Sequence, residues 1–465
     1  MKFTSLPTLT SLGLLAGLGS ASILINPAAQ GKLPTIQAAT ASAATVGLNL
    51  DDIQADILIG MKKNQELFFF FSIANATDFK AKLASDILPL VTSTTQVLNV
   101  SAQPATMLNI AFSATGLTAL NVSNALGDTP FGGGQLKNIA SLGDPGTTNW
   151  VPQFIGTSIH GVILLASNTV DNINSELASL QSALGDSITE VYSLQAAARP
   201  GAEQGHEREF PSCLPRFQTP LPGQAVVPTG EILVGETGDS ITRPAWTKDG
   251  SFLVFRQLKQ LVPEFNKFLT DNPINEPSLT PQQGSDLLGA RMIGRWKSGA
   301  PVFLAPLVDD PVLGSDPTRN NNFTCPFSAH IRKTRPRLDL GSEAASTHHI
   351  VRGGIPYGPE VTADEAASNT TSIERGLAFV SYQSNIAAGF QFLQQFWADN
   401  VNFVHGNVGF DPIIGANSGN QRVVNGLDPT NPAKATTLTT DFVVSRGGEY
   451  FFSPSLSAIA NTLSV

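Results

Sequence analysis

Glu66-Leu67-Phe68-Phe69-Phe70-Phe71-Ser72-Ile73 sets six large apolar side chains in eight residues. The run is too short for a buried helix and rich in aromatic residues, so it reads as a buried β-strand. Thr77-Asp78 then opens a different pattern, with Phe79, Leu83, Ile87 and Leu90 spaced three or four apart, which predicts a helix over 77–91. Strand followed by helix recurs on either side. Upstream, Leu48-Asn49-Leu50-Asp51-Asp52-Ile53 starts the folded sequence, with Asn49 or Asp51 capping a short helix. Downstream, Met107–Phe112 and His160–Leu165 read as strands, and Ser113–Leu120 and Val170–Leu184 as helices. Such alternation predicts an α+β fold, a sheet covered by helices.

Residues 198–230 interrupt it. Pro200, Pro211, Pro215, Pro220, Pro222 and Pro228, with four interspersed glycines, make this a long connection. The pattern then restarts: strand-like Gly230–Val234, a strong strand at Ser251–Arg256, a helix over Gln257–Asn272, a strand at Ala378–Tyr382 and a helix over Asn385–Asn400. The chain therefore divides into a leader at 1–44, a first α+β half at 45–197, the connection at 198–230 and a second α+β half at 231–465.

Composition excludes several classes. Among 465 residues, 28 Lys and Arg face 37 Asp and Glu, a net charge of −9 that argues against a basic nucleic-acid-binding face. Two cysteines rule out a disulfide framework and any zinc or iron–sulfur site needing three or four thiolates. Met1-Lys2, a short apolar region and the small residues Gly19–Ser22 fit a secretory signal, and Ala38–Ala44 fits a short propeptide. No stretch reaches the 18 apolar residues of a membrane span. Sequons at Asn75, Asn99, Asn121, Asn322 and Asn369 suit an extracellular glycoprotein.

No phosphate loop, Gly-x-Ser-x-Gly elbow, His-Glu-x-x-His or Cys-x-x-Cys occurs. Six histidines remain: His160, His206, His330, His348, His349 and His405. His330 lies in Cys325-Pro326-Phe327-Ser328-Ala329-His330-Ile331-Arg332-Lys333-Thr334-Arg335-Pro336-Arg337, next to four cations, with Arg291, Arg295, Lys297 and Arg319 upstream. Cations gathered in an acidic chain suit a bound carboxylate or phosphate. An imidazole among them has the chemistry of a haem site, an axial ligand with partners for two propionates. A solvated charged face around an ordinary histidine is the other reading.

These blocks resemble the fungal dye-decolourising peroxidases, a haem-enzyme family. The likeness covers Leu50–Leu58, Gly289–Gly299, Cys325–Arg337, His349–Gly358, Gly376–Ser384 and Asp411–Gly415, in order and over most of the chain. It implies two ferredoxin-like domains of the dimeric α+β barrel type, with antiparallel sheets covered by helices and haem b (iron protoporphyrin IX) held by the second. It also implies a secreted enzyme that reduces hydrogen peroxide and oxidises dyes or phenolic compounds. By motif, His330 is the iron ligand and Arg352 the distal catalytic cation, and Leu377 and Phe379 wall the distal pocket. Arg332 joins the cofactor site, and Asp411 is the candidate carboxylate behind His330, with a helix-cap or turn role as its alternative. Trp397 and Tyr357 are candidates for a surface aromatic that relays electrons from larger dyes. Cys213 and Cys325 could pair in an oxidising compartment.

One departure stands out. The family carries a distal Asp in Gly-x-x-Asp-Gly, and no such motif occurs here. After Gly201–Glu207 the chain continues Arg208-Glu209-Phe210-Pro211-Ser212-Cys213-Leu214-Pro215-Arg216-Phe217 and rejoins the family pattern at Thr219–Gly223. Asp249-Gly250, the only Asp-Gly, reads as a hairpin turn. Arg335 stands where the family often has Asn. Without the distal carboxylate, the alternative function is a haem-binding protein with impaired or no peroxidase activity. Glu207 and Glu209 are candidate substitutes for the missing acid, and a defective gene model across this segment, whose flanks match while only the middle fails, is the other reading of the gap. A cofactor-free exported binding protein is the third reading.

Overall fold

The computed structural model describes residues 34–199, 227–311, 325–340 and 347–465, with only the backbone of Arg337 and Leu338. Its main sheet uses β1 (Gln65–Ile73), β2 (Thr106–Phe112), β3 (Gly161–Ser167), β4 (Ile188–Ala197), β5 (Ser251–Gln260), β6 (Val351–Arg352), β7 (Ile355–Tyr357), β8 (Gly376–Gln383) and β11 (Val443–Ser453). A separate small pair joins β9 (Arg422–Val424) to β10 (Thr436–Leu438).

Within the first half the spatial order is β2-β3-β1-β4, and within the second β11-β5-β8 with β6 and β7 beside β8. The two halves close on each other, β11 onto β2 and β7 onto β4, all antiparallel. The result is one α+β barrel made of two ferredoxin-like halves. Its closure explains the phenylalanine run of β1. Phe68 and Phe70 point into the barrel core with Phe255, Tyr382 and Phe451. Phe69 and Phe71 point the other way, under the outer helices with Phe79, Phe112 and Ile173. Period-two alternation therefore supplies two cores from one strand, so an unbroken apolar run is required.

Helices cover the outside. Val170–Leu184 is capped by Thr169, whose side chain accepts from Asn172 N, and it buries Ile173, Leu180 and Leu184. In the second half, Val262–Asp271 and Pro281–Ile293 pack a third core with Trp296, Val302 and Phe442. The predicted helix 77–91 forms as Ala76–Lys82 followed by tighter and wider turns to Leu90. Likewise Asn385–Asn400 narrows to Phe390–Phe392 and a π turn at Leu393–Ala398.

Five expectations need correction. Gly230–Val234 is no strand: a 3-10 turn at Thr229–Glu231 leads into it, and Ile232–Val234 fill the core from a loop. The helix predicted from Gln257 starts only at Val262, because β5 continues to Gln260 against β11 and β8 and Pro263 opens the helix. Asn49 and Asp51 make a turn, Asp51 N donating to Asn49 Oδ1, and the short helix there is Ala55–Leu58 with Gln54 before it. Ile36–Ala44, ahead of the expected start of folded sequence at Leu48, is a helix whose Ala39 and Ala43 are buried in the barrel core, so packed structure begins before residue 45. Asp249 does sit in a turn, with φ of +63°, but the turn joins a loop to β5 and links no two strands.

Candidate active site

His330 is the first residue of a five-residue helix, His330–Thr334. So short a helix does not hold itself. Its two buried cations do. Lys333, fully buried, donates to Asn400 O and Phe403 O, both at 2.7 Å. Arg332, 1% exposed, grips Asp339 through Nε (2.9 Å) and Nη2 (2.5 Å), donates to Cys325 O and lies over the Phe327 ring. Underneath, Gly294 has φ of +96°, and a Cβ there would come within 2.4 Å of Ile331 Cγ1.

The His330 ring is thereby aimed at Asp411, with Nδ1 and Asp411 Oδ2 2.8 Å apart. Asp411 is fully buried. Its Oδ1 accepts from Ile413 N and Ile414 N, at 2.8 and 3.0 Å. Burial pushes its carboxyl up, but His330 and these two amides outweigh that and hold it below the ordinary carboxylate range. A carboxylate on Nδ1 fixes the tautomer that donates there, leaving a lone pair on Nε2. One oxygen of Asp411 thus faces His330 and the other accepts the amides of a turn. The His330 side chain is 21% exposed, so its free edge is open.

A second group forms on β6 and β8. Arg352 stands opposite Ser381, and period two puts Leu377, Phe379 and Ser381 on one face of β8. Arg352 thus shares that face with the two half-buried apolar residues. It is exposed and makes no ion pair among the described residues. Gly354 keeps the chain close: a Cβ there would meet Ala378 O at 2.8 Å and Leu377 Cδ1 at 3.4 Å.

One helical segment touches both groups. Phe390 packs on Phe379 (ring centroids 5.6 Å), Phe392 stacks on His348 (3.6 Å, 7°), and Ala398 O accepts from Asp411 N (2.8 Å). From Phe390 to Ala398 is about 12 Å of helix axis, so the His330 group and the Arg352 group flank one wall.

These residues fit a haem. No group of three or more His, Cys, Asp or Glu able to hold a metal ion occurs among the described residues. A porphyrin supplies four nitrogens itself and asks the protein for one imidazole, which His330 offers with Nδ1 anchored and Nε2 unengaged among the described residues. A second nitrogen, His349 Nε2, is buried without a partner among the described residues.

Other expectations resolve differently. Arg332 is turned to Asp339 and the Cys325 carbonyl, so it steadies the helix from behind. Arg291 donates to Leu427 O and Gly426 O, and Arg295 to Gly299 O, leaving Lys297 exposed. Trp397 and Tyr357, the candidate surface aromatics, are each only 4% exposed. Trp397 lies flat on Phe403 (4.9 Å, 8°), and Phe396 beside it is the exposed ring of that cluster. Cys325 is buried, and burial pushes its thiol up to about 11. His206, Glu207, Glu209, Cys213, Arg319 and Asn322 lie outside the described residues. The sequence reading missed the Glu231–His349 pair, whose members are 118 residues apart with Oε2 2.5 Å from Nδ1. Only the fold could reveal it.

Residues 52–200 match the model of the DyP dimeric alpha+beta barrel domain, and 236–404 that of the Dyp-type peroxidase C-terminal domain. Peroxidase 2 of Mycetinis scorodonius is 57% identical over 500 positions, covering 99% of this chain and 97% of that one. Those 500 positions exceed the 465 residues here, so at least 35 have no counterpart in this chain. The dye-decolorizing peroxidase AauDyP1 of Auricularia auricula-judae is 54% identical, over 97% and 93% of the two chains. A crystal structure of the peroxidase from that organism superposes with a TM-score of 0.85, covering 90% of this chain and all of the other. With both domain models matched over most of the chain and relatives above 50% identity covering nearly all of it, the chain belongs to the DyP-type, dye-decolorizing peroxidase family.

Proposed function

We propose that this protein is a secreted peroxidase that uses hydrogen peroxide to oxidise dyes and phenolic compounds. Haem b, the cofactor of the family, supplies when bound an iron that takes up peroxide and the electrons its reduction consumes. His330 would hold that iron through Nε2, and Asp411, pulling on Nδ1–H, makes the imidazole a stronger donor. Arg352 carries a fixed charge beside the pocket and stabilises negative charge that develops on the departing oxygen. Leu377 and Phe379 limit the space next to it to small peroxides. Larger reductants are served through the aromatic cluster of Trp397, Phe403, Phe392 and exposed Phe396.

The observation that carries this reading is the imidazole held at Nδ1 by a buried carboxylate and left bare at Nε2. Export is supported by the N-terminal sequence and by sequons at exposed Asn75, Asn121 and Asn369. No helix among the described residues is long and apolar enough to cross a membrane. The test is peroxide-dependent decolourisation of an anthraquinone dye by haem-loaded protein. His330→Ala should abolish the Soret band and the activity together. Arg352→Leu should keep the band and lower kcat/KM for peroxide by about 10²–10³-fold. Full activity in either variant would refute the assignment.

A further inference from the structure

Peroxide cleavage needs a group that takes a proton from one oxygen and gives it to the other, and Arg352 cannot exchange one. The family's distal Asp motif is missing from this sequence. The Glu231–His349 pair offers an alternative. Glu231 Oε2 lies 2.5 Å from His349 Nδ1, and the side chains are 10% and 9% exposed. Nε2 of His349 is buried and finds no partner among the described residues. Leaving a buried polar nitrogen bare costs on the order of 1–3 kcal/mol, so the site is built for a partner that is not one of these side chains.

Its place in the fold fits. Ser384 N, one residue beyond β8, donates to Glu231 O at 2.9 Å. His349 precedes Arg352 by three residues, on the segment entering β6. The pair therefore sits at the ends of the two strands that bear Arg352, Leu377 and Phe379. The remaining described histidines are otherwise engaged. His330 faces Asp411, His348 Nδ1 lies 2.6 Å from Ala388 O with its ring on Phe392, His160 accepts from Ile73 N in the first half, and His405 packs on Phe327.

We propose that, in this chain, His349 is the catalytic acid–base and Glu231 its positioning residue; this rests on the haem-peroxidase reading above. Glu231 accepts Nδ1–H, so Nε2 presents a lone pair. That lone pair takes the proton of the inner peroxide oxygen. The same proton passes to the outer oxygen as the O–O bond breaks, and that oxygen leaves as water. His349 ends as it began, and the two electrons consumed come from the haem centre.

Binding of hydrogen cyanide to ferric holoenzyme tests this without turnover, because the ligand must lose its proton to bind. Stopped-flow association is compared at one pH for wild type, His349→Gln, Glu231→Gln and Glu231→Asp, each with its Soret absorbance recorded. His349→Gln should slow association by about 10²-fold with the band retained. Glu231→Gln should slow it about tenfold, and Glu231→Asp should recover part of that. kcat/KM for peroxide should fall in parallel. An unchanged association rate in His349→Gln overturns the proposal. So does a variant that loses haem while its residual holoenzyme binds cyanide at the wild-type rate, since His349 would then only retain the cofactor. If His349→Gln does not fold, an unchanged rate in Glu231→Gln overturns it equally. A wild-type protein with no Soret band would instead refute the peroxidase reading itself.

Discussion

Asp411 keeps its charge although it is fully buried, because His330 and the amides of Ile413 and Ile414 all face it. A carboxyl held below its ordinary range in the folded state adds stability at neutral pH. That contribution is lost as pH falls through its lowered folded value. Wild-type protein should therefore shed haem on acidification along a limb that Asp411→Asn flattens, as followed by Soret loss against pH. The same substitution removes the negative partner of the imidazole. It should raise the iron midpoint potential and lower haem affinity or activity by about 10–100-fold, measured by spectroelectrochemistry and haem transfer to apomyoglobin. At this scale the sequence was informative where chemistry clusters locally. His330 stood out among four cations, and Arg352, Leu377 and Phe379 each lay in a recognisable block. It did not foresee the partner of Arg332, because a cation near a histidine looks alike whatever it meets, and here it meets Asp339 seven residues on.

The His330 helix is too short to persist without its anchors, so its stability resides in side chains outside the iron site. Lys333→Met would strand the carbonyls of Asn400 and Phe403 and should cost about 1–3 kcal/mol in urea-melt stability. Gly294→Ala would push a methyl into Ile331 from a left-handed backbone, costing a comparable 1–3 kcal/mol or so. Both variants should lose haem faster than wild type, although neither residue is a ligand. Long periodic elements were legible, such as Val170–Leu184, whose observed limits match the expected ones. Failures came where tertiary pairing overrode local pattern. Gln257–Gln260 stays extended because β8 and β11 flank it, and Gly230–Val234 finds no strand partner despite its β-rich composition. Two of the longest strands, β4 and β11, escaped notice along with the short β6, β7, β9 and β10. Glu190, Tyr192 and Gln195 in one, and Arg446, Gly447 and Gly448 in the other, blur the apolar alternation that marks a strand.

Across the whole molecule, several carboxyls are buried without a full complement of partners. Burial pushes Asp399 up to about 7, against hydrogen bonds from Ala416 N and Gln394, and Glu449 likewise to about 7, against Tyr450 N and Gln135 N. Here the sign reverses relative to Asp411. A carboxyl with a raised folded value holds its proton in the native state while the unfolded chain has lost it. Stability therefore declines as pH climbs from about 4 through 7. The melting temperature should be higher at mildly acidic pH than above neutrality, and Glu449→Gln should flatten that slope in calorimetry. The two-half organisation was readable from the repeated strand–helix alternation, whereas the closure into a barrel came only from the family resemblance, since no local pattern states which edges will meet. That closure relies on β11, which enters between β5 and β2 although it spans only Val443–Ser453. During synthesis the first half must wait with the β2 edge unsatisfied until residues 443–453 have emerged. Cofactor capture is thereby postponed until that strand is made, and a chain stopped before residue 443 would be an aggregation-prone fragment rather than a slower enzyme.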